Sequence, residues 1–198
     1  MKTAFLFPGQ GAQKPGMGKD VAEAWPAAAK LYEQANDILG YDLKSLCFEG
    51  PAEKLNATDV SQPAIFVTSA AMLEAIRSEG KIASVKPDVT AGLSLGEYTA
   101  VYAAGTVTFE EGLTLVQRRG TAMQRAADES DGSMVSVIGL DEEKVGQLCE
   151  KAAEGETLRP ANYNCPGQIV ISGSSAACKR AAALAGEMGA MKAVELAV

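Results

Sequence analysis

The sequence contains no histidine. An imidazole-activated hydroxyl or thiol therefore cannot be assembled from these 198 residues alone. Only carboxylates, lysines or water remain as proton acceptors. Cysteine is sparse and scattered: Cys47, Cys149, Cys165 and Cys178 make no Cys-x-x-Cys pair. That spacing argues against a metal site or a disulfide frame and reads as free thiols of a reducing, cytoplasmic compartment. Positive charge is in deficit, with 18 Lys and Arg against 25 Asp and Glu and a net charge of −7. Phosphate binding needs a basic surface, so nucleic acid is not an expected partner. No stretch approaches the roughly 18 unbroken apolar residues of a membrane helix, and no signal or transit pattern opens the chain. Aromatic residues make up only 6%. There are no internal repeats and no low-complexity tracts.

What is present suits tightly packed helices on a sheet. Apolar residues reach 47%, and alanine and glycine are abundant. The length fits one large domain, or one domain with a smaller companion.

The most informative stretch is Asp88 to Tyr98, which holds Gly92-Leu93-Ser94-Leu95-Gly96, a G-x-S-x-G pattern. Pro87 to Ala91 reads as a short buried strand before it. Glu97 to Ala104 reads as a helix after it, ending at Gly105. A strand–turn–helix elbow needs glycine two residues before and two after the serine, because the chain reverses where a Cβ would clash. The serine then stands at a helix N-terminus, whose N–H groups favour a developing oxyanion. The same letters also fit a helix capping box, Ser94-x-x-Glu97.

Thr3 to Phe7 reads as a buried strand broken by the Gly-rich loop Pro8 to Gln13. No Gly-Lys-Ser/Thr follows, so it is not a nucleotide-binding loop of the Walker type. Helical pattern fills Val21 to Leu39, with a break at Trp25-Pro26 and a C-cap at Gly40. A short helix follows over Leu43 to Phe48. The next helix is expected to open at Ser61-Gln62-Pro63, with Ser61 or Asp59 as N-cap and Pro63 in the first turn. Ala64 to Ile76 is apolar nearly all round and should be buried. A further helix starts near Thr108 and runs to Arg125. On it Arg119 borders an apolar stripe of Phe109, Leu113, Val116, Gly120 and Met123. A half-buried guanidinium needs an anion. That anion is either a ligand or a structural carboxylate such as Glu97 or Asp88.

Ala126 to Ser133 reads as a flexible link. After it come a strand over Met134 to Leu140, a helix over Glu142 to Ala153 and two strands, Leu158 to Tyr163 and Gln168 to Ser172. A helix over Ser174 to Met188 and a strand over Met191 to Leu196 complete the order β-α-β-β-α-β, the ferredoxin-like one. The expected organisation is residues 1–127 as the larger domain and 128–198 as a small α+β subdomain.

Five motifs occur in one order: Phe7-Pro8-Gly9-Gln10-Gly11; Thr58-x-x-Ser61-Gln62-Pro63-Ala64; Gly92 to Tyr98; Arg119-Gly120-x-x-Met123-Gln124; and Asn162-x-Asn164-x-Pro166-Gly167-Gln168. Together they resemble the malonyl-CoA:acyl-carrier-protein transacylases, the acyltransferase family of fatty acid and polyketide synthesis. The resemblance implies an α/β fold: an α/β-hydrolase-like large domain, incomplete here, with a ferredoxin-like α+β subdomain. It implies Ser94 as the nucleophile that carries malonyl, and the backbone N–H groups of Gln10 and Leu95 as the oxyanion hole. Arg119 is implied as partner of the free malonyl carboxylate, and Gln62, Met123 and Asn162 as substrate-binding or cleft-bordering residues. Leu93 stands where many members carry histidine, a position that is not the general base. No cofactor and no metal are implied. The implied partners are malonyl-CoA and acyl carrier protein. Lys179, Arg180 and Lys192 are candidate cations for that acidic protein.

The family's general base is a histidine beyond the ferredoxin-like part, and its members run roughly a hundred residues further. The expectation is therefore the N-terminal two-thirds of such an enzyme, inactive alone, which needs a further segment or a second chain. Two other functions stay open on the residues: a serine hydrolase, which shares the elbow but has no need of Arg119, and a non-catalytic module that binds a carrier protein.

Overall fold

The computed structural model describes residues 2–79 and 86–196. The chain forms two compact units, Met1–Arg125 and Ala126–Val198.

The first unit carries β1 (Ala4–Phe7), α1 (Lys19–Ala24), α2 (Pro26–Leu39), α3 (Leu43–Glu49), α4 (Ala52–Asn56), α5 (Thr58–Ser78), β2 (Val89–Gly92), α6 (Leu95–Ala103) and most of α7 (Phe109–Glu129), whose last residues belong to the second. Its centre is α5, where every residue from Ser61 to Ala71 is buried. Tyr32 and Leu43, Leu95, Leu113 and Val116 from four other helices close around it. Each large apolar side chain buried this way contributes roughly 1.5–3 kcal/mol. Phe66 meets the rings of Tyr102 and Phe109, each at 5.9 Å between centroids. Gly112 has no side chain to intrude on Phe66, so α7 approaches closely.

Helix α5 begins earlier than its sequence signals suggest. Its N-cap is Ala57, not Ser61 or Asp59, and Pro63 lies inside the helix. An interior proline forfeits one helical hydrogen bond. Here the burial of the segment on all sides outweighs that loss.

Strands β1 and β2 pair in parallel, with Phe5 opposite Thr90 and Phe7 opposite Gly92. Helix α6 lies on them, and Thr90 Oγ1 donates to the Ala100 carbonyl at 3.0 Å. The expectation of buried strands is corrected. Side chains alternate, with Phe5, Phe7 and Thr90 half-buried and Ala4, Leu6, Val89 and Ala91 exposed. Leu6 is 76% and Val89 56% exposed. The period-two pleat sends alternate side chains to opposite faces, and α6 covers one of them.

The second unit carries β3 (Gly132–Ile138), α8 (Glu142–Ala153), β4 (Leu158–Cys165), β5 (Gln168–Ser174), α9 (Ser175–Ala185) and β6 (Lys192–Leu196). Its antiparallel sheet runs β4-β5-β3-β6, the ferredoxin-like order. Val135 faces Ile171 and Val137 faces Ile169, and these pack on Val145, Leu148, Ala177 and Ala181. The expected link at 126–133 is largely absent as a link: α7 runs on to Glu129 and β3 starts at Gly132. Ala126 and Ala127 are strong helix formers and carry the helix on. Among the described residues no helix is long and apolar enough to cross a membrane.

Candidate active site

Ser94 has φ 53° and ψ −111°, a conformation that non-glycine residues rarely adopt. It is enforced by close packing on both sides. A Cβ at Gly92 would fall on the Gly96 carbonyl, and one at Gly96 on the Phe7 carbonyl. The elbow thus needs both glycines, and the strain at Ser94 projects its hydroxyl into solvent. The capping-box alternative is corrected, because the Ser94 side chain makes no cap bond to α6. Only its carbonyl takes part, accepting from the Glu97 N–H at 3.3 Å.

The Gly-rich loop closes over the same turn. A Cβ at Gly9 would stand 3.0 Å from the Leu93 carbonyl, so Gln10 follows a residue already touching the elbow. Gln10 Nε2 donates to Thr58 Oγ1 at 3.4 Å, and Gln13 Nε2 to Asn56 Oδ1 at 2.9 Å. These bonds tie the loop to the head of α5 and to the end of α4. Leu95 is the first residue of α6, where a backbone N–H has no helical acceptor.

Helices α5 and α7 bring the remaining polar groups. Arg119 Nη2 donates to Ser94 Oγ at 2.8 Å, and Nη1 to Gln62 Oε1 at 2.5 Å. Gln62 is fully buried, and its Nε2 donates to Met123 Sδ at 3.3 Å. The Arg119 guanidinium also stands 5.6 Å from the centroid of the Tyr98 ring, within reach of a cation–π attraction. Among the described residues it has no carboxylate partner. Asp88, one of the two structural partners considered, instead accepts from the Thr3 N–H at 2.7 Å.

The structure therefore brings Ser94, Arg119, Gln62 and Met123 together in the first unit, with the loop of Gln10 against the elbow. Asn162 stands half-buried on β4 of the second unit, opposite Val170. Arg180 is not a free docking cation. It donates to the Ala152 and Ala153 carbonyls at 2.8 and 3.0 Å and pairs with Glu154 and Glu156, closing the C-terminal end of α8. Sequence reasoning gave no role to Tyr98, Thr58 or Gln124, although all three lie inside the quoted motifs. Their signal is positional: Tyr98 is one helical turn after the serine, and Gln124 follows Arg119 by little more than a turn.

Two of the thiols are poor competitors as nucleophiles. Burial pushes the Cys47 thiol up to about 12 and the Cys149 thiol up to about 11, so both stay protonated at neutral pH. All four cysteines are free, and only Cys165 is exposed.

The site thus sets a serine on a strained elbow against a guanidinium that has no carboxylate partner among the described residues. The chain belongs to the acyl transferase domain family, which it matches over residues 4–198. It is 46% identical over 197 residues to the malonyl CoA-acyl carrier protein transacylase of Haemophilus influenzae, covering 100% of this chain and 62% of that protein. The crystal structure of an acyl carrier protein S-malonyltransferase from Vibrio cholerae superposes with TM-score 0.91 at 41% identity, covering 100% of this chain and 64% of that one. A malonyl-transacylase in complex with its type II PKS acyl-carrier protein superposes with TM-score 0.93 at 41% identity, over 100% and 63% of the two chains. The chain thus spans about three-fifths of the length of the curated relatives it matches. Their fold is the α/β architecture described above.

Proposed function

We propose that this chain carries the acyl-enzyme site of an S-malonyltransferase that moves malonyl from malonyl-CoA to the phosphopantetheine thiol of acyl carrier protein. Ser94 Oγ attacks the thioester carbonyl, the C–S bond breaks, and CoA leaves as the thiol. The carrier-protein thiol then attacks the Ser94 ester and releases the serine. The N–H groups of Gln10 and Leu95 stabilise the tetrahedral oxyanion, one from the loop and one from the head of α6. Arg119 grips the free carboxylate of malonyl, a charge-assisted contact of roughly 1.5–3 kcal/mol that acetyl lacks. Gln62 and Met123 hold Arg119 in place. No cofactor enters the scheme, and the setting is cytoplasmic fatty acid synthesis.

The observation that carries this reading is Arg119, with no carboxylate partner among the described residues, bonded to the hydroxyl of a strained serine. A simple esterase has no use for that cation, and the relatives are transacylases by name. The 198 residues contain no imidazole, so within them only carboxylates, lysines or water could take the Ser94 proton.

Brief incubation with malonyl-CoA followed by peptide mass spectrometry tests the assignment. Malonyl is expected on Ser94 and absent from Ser94→Ala. Malonyl on another residue, or its persistence in the variant, overturns the reading.

A further inference from the structure

The bond between Arg119 and Ser94 has a direction. A guanidinium has only donors, so Nη2 donates to Ser94 Oγ at 2.8 Å and occupies a lone pair of the nucleophile. The other arm is anchored. Nη1 donates at 2.5 Å to Oε1 of Gln62, a fully buried side chain whose amide is aligned by its own bond to Met123 Sδ. Packing at Gly92 and Gly96 sets the serine's backbone, so the hydroxyl is released by rotation about its own χ1 or by movement of the guanidinium.

We propose that Arg119 is a latch on Ser94, opened by the carboxylate of the acyl substrate, with Gln62 as its pivot. The proposal rests on the malonyl-transfer reading above. A carboxylate is a stronger acceptor for a guanidinium than a neutral hydroxyl. An incoming malonyl group therefore draws Nη2 off Ser94, while Gln62 keeps Nη1, so the guanidinium turns about that bond and stays in the site. The face of Tyr98, 5.6 Å from the guanidinium carbon, borders the same space. The freed lone pair of Oγ is then available to the thioester carbon. A thioester without a carboxylate meets a serine with one of its two lone pairs still engaged, which makes it a weaker nucleophile. Discrimination thus acts on the acylation step as well as on binding.

Calorimetric titration of the full chain with free malonate tests this, because malonate supplies the carboxylate without a thioester. In the latched protein the Ser94 hydroxyl competes with the anion for Nη2. Removing it, in Ser94→Ala and in Ser94→Gly, should tighten malonate binding roughly three- to tenfold. Glycine accepts the positive φ without strain, so agreement between the variants excludes a folding artefact. The gain should vanish when Arg119→Ala is added to either variant. Equal or weaker binding in both variants, or a gain that survives loss of Arg119, overturns the latch and leaves the carboxylate-selecting reading standing. Absence of malonate binding by the wild-type chain and both variants overturns the two together.

Discussion

The backbone N–H of Thr58, at the head of α5, is capped by Gln124 Oε1 of α7 at 2.9 Å, from 66 residues away. The local N-cap, Ala57, has no side chain able to do this. Thr58 Oγ1 accepts in turn from Gln10, so one residue joins the Gly-rich loop to the helix that carries Arg119. Gln124→Ala should cost about 1 kcal/mol of stability, as loss of a helix cap does. Because Gln124 holds the head of α5 to α7, KM for malonyl-CoA should rise more than kcat falls, and Gln124→Glu, which keeps the acceptor, should restore most of it. Urea unfolding and steady-state kinetics check both.

Gly96→Ala should abolish the elbow. The added Cβ meets the Phe7 carbonyl, a backbone atom that cannot turn aside. Overpacking of this kind costs roughly 1–3 kcal/mol, occasionally more. Denaturant midpoint and Ser94 malonylation should fall together. A stable variant with normal labelling would show that the turn has another way to pack.

Arg119→Ala should lower kcat/KM for malonyl-CoA by roughly ten- to a hundredfold, the worth of one charge-assisted contact. Acetyl-CoA should change far less. Equal losses for the two thioesters would make Arg119 a structural residue.

Asp42 supplies an acid-sensitive cap to α3. Its carboxylate accepts from Ser45 Oγ at 2.6 Å, from Ser45 N–H at 3.0 Å and from Asn36 Nδ2 at 2.9 Å. These bonds, the Ser45 hydroxyl first, hold its pKa below the ordinary carboxylate value. A depressed folded pKa means that the stabilisation is complete above the unfolded value, about 3.9, and is lost as pH falls through the folded one. Asp42→Ala should cost about 1 kcal/mol at neutral pH, and the difference from wild type should shrink on acidification below the unfolded pKa. Paired thermal melts across that range measure it.

The 198-residue chain, which has no histidine, should transfer malonyl on the order of a thousandfold or more slower than its longer relatives. Free imidazole in the buffer should restore part of the rate, since binding and the oxyanion hole do not depend on the base. A normal rate without it would mean that another group takes the Ser94 proton.

The elbow and α8 were legible in the sequence for local reasons. Glycines at fixed offsets from Ser94 reflect steric demands within a few residues. Asp141 caps α8 three residues before the Lys144 N–H it accepts from, at 2.8 Å. The start of α5 was not legible, because its cap lies on α7, and a proline that looked like a first-turn residue is held inside the helix by burial. Helix α4 was missed because five residues carry too little periodicity. An apolar run such as Ala4 to Phe7 announces a strand but cannot say how many of its faces are covered. Within the site, Ser94 and Arg119 were visible as residue types in motifs. Their direct bond was not, since it joins the elbow turn to α7 across 25 positions.

The backbone at Ser94 also narrows which amino acids could ever replace the nucleophile. Threonine has the same hydroxyl, but a β-branched residue at φ 53° is a severe outlier. The side chain nearest in chemistry is therefore excluded by the main chain alone. Cysteine and glycine, unbranched at Cβ or lacking it, remain compatible. Mutational drift at this codon can change the attacking atom or delete it, but it cannot exchange one alcohol for the other.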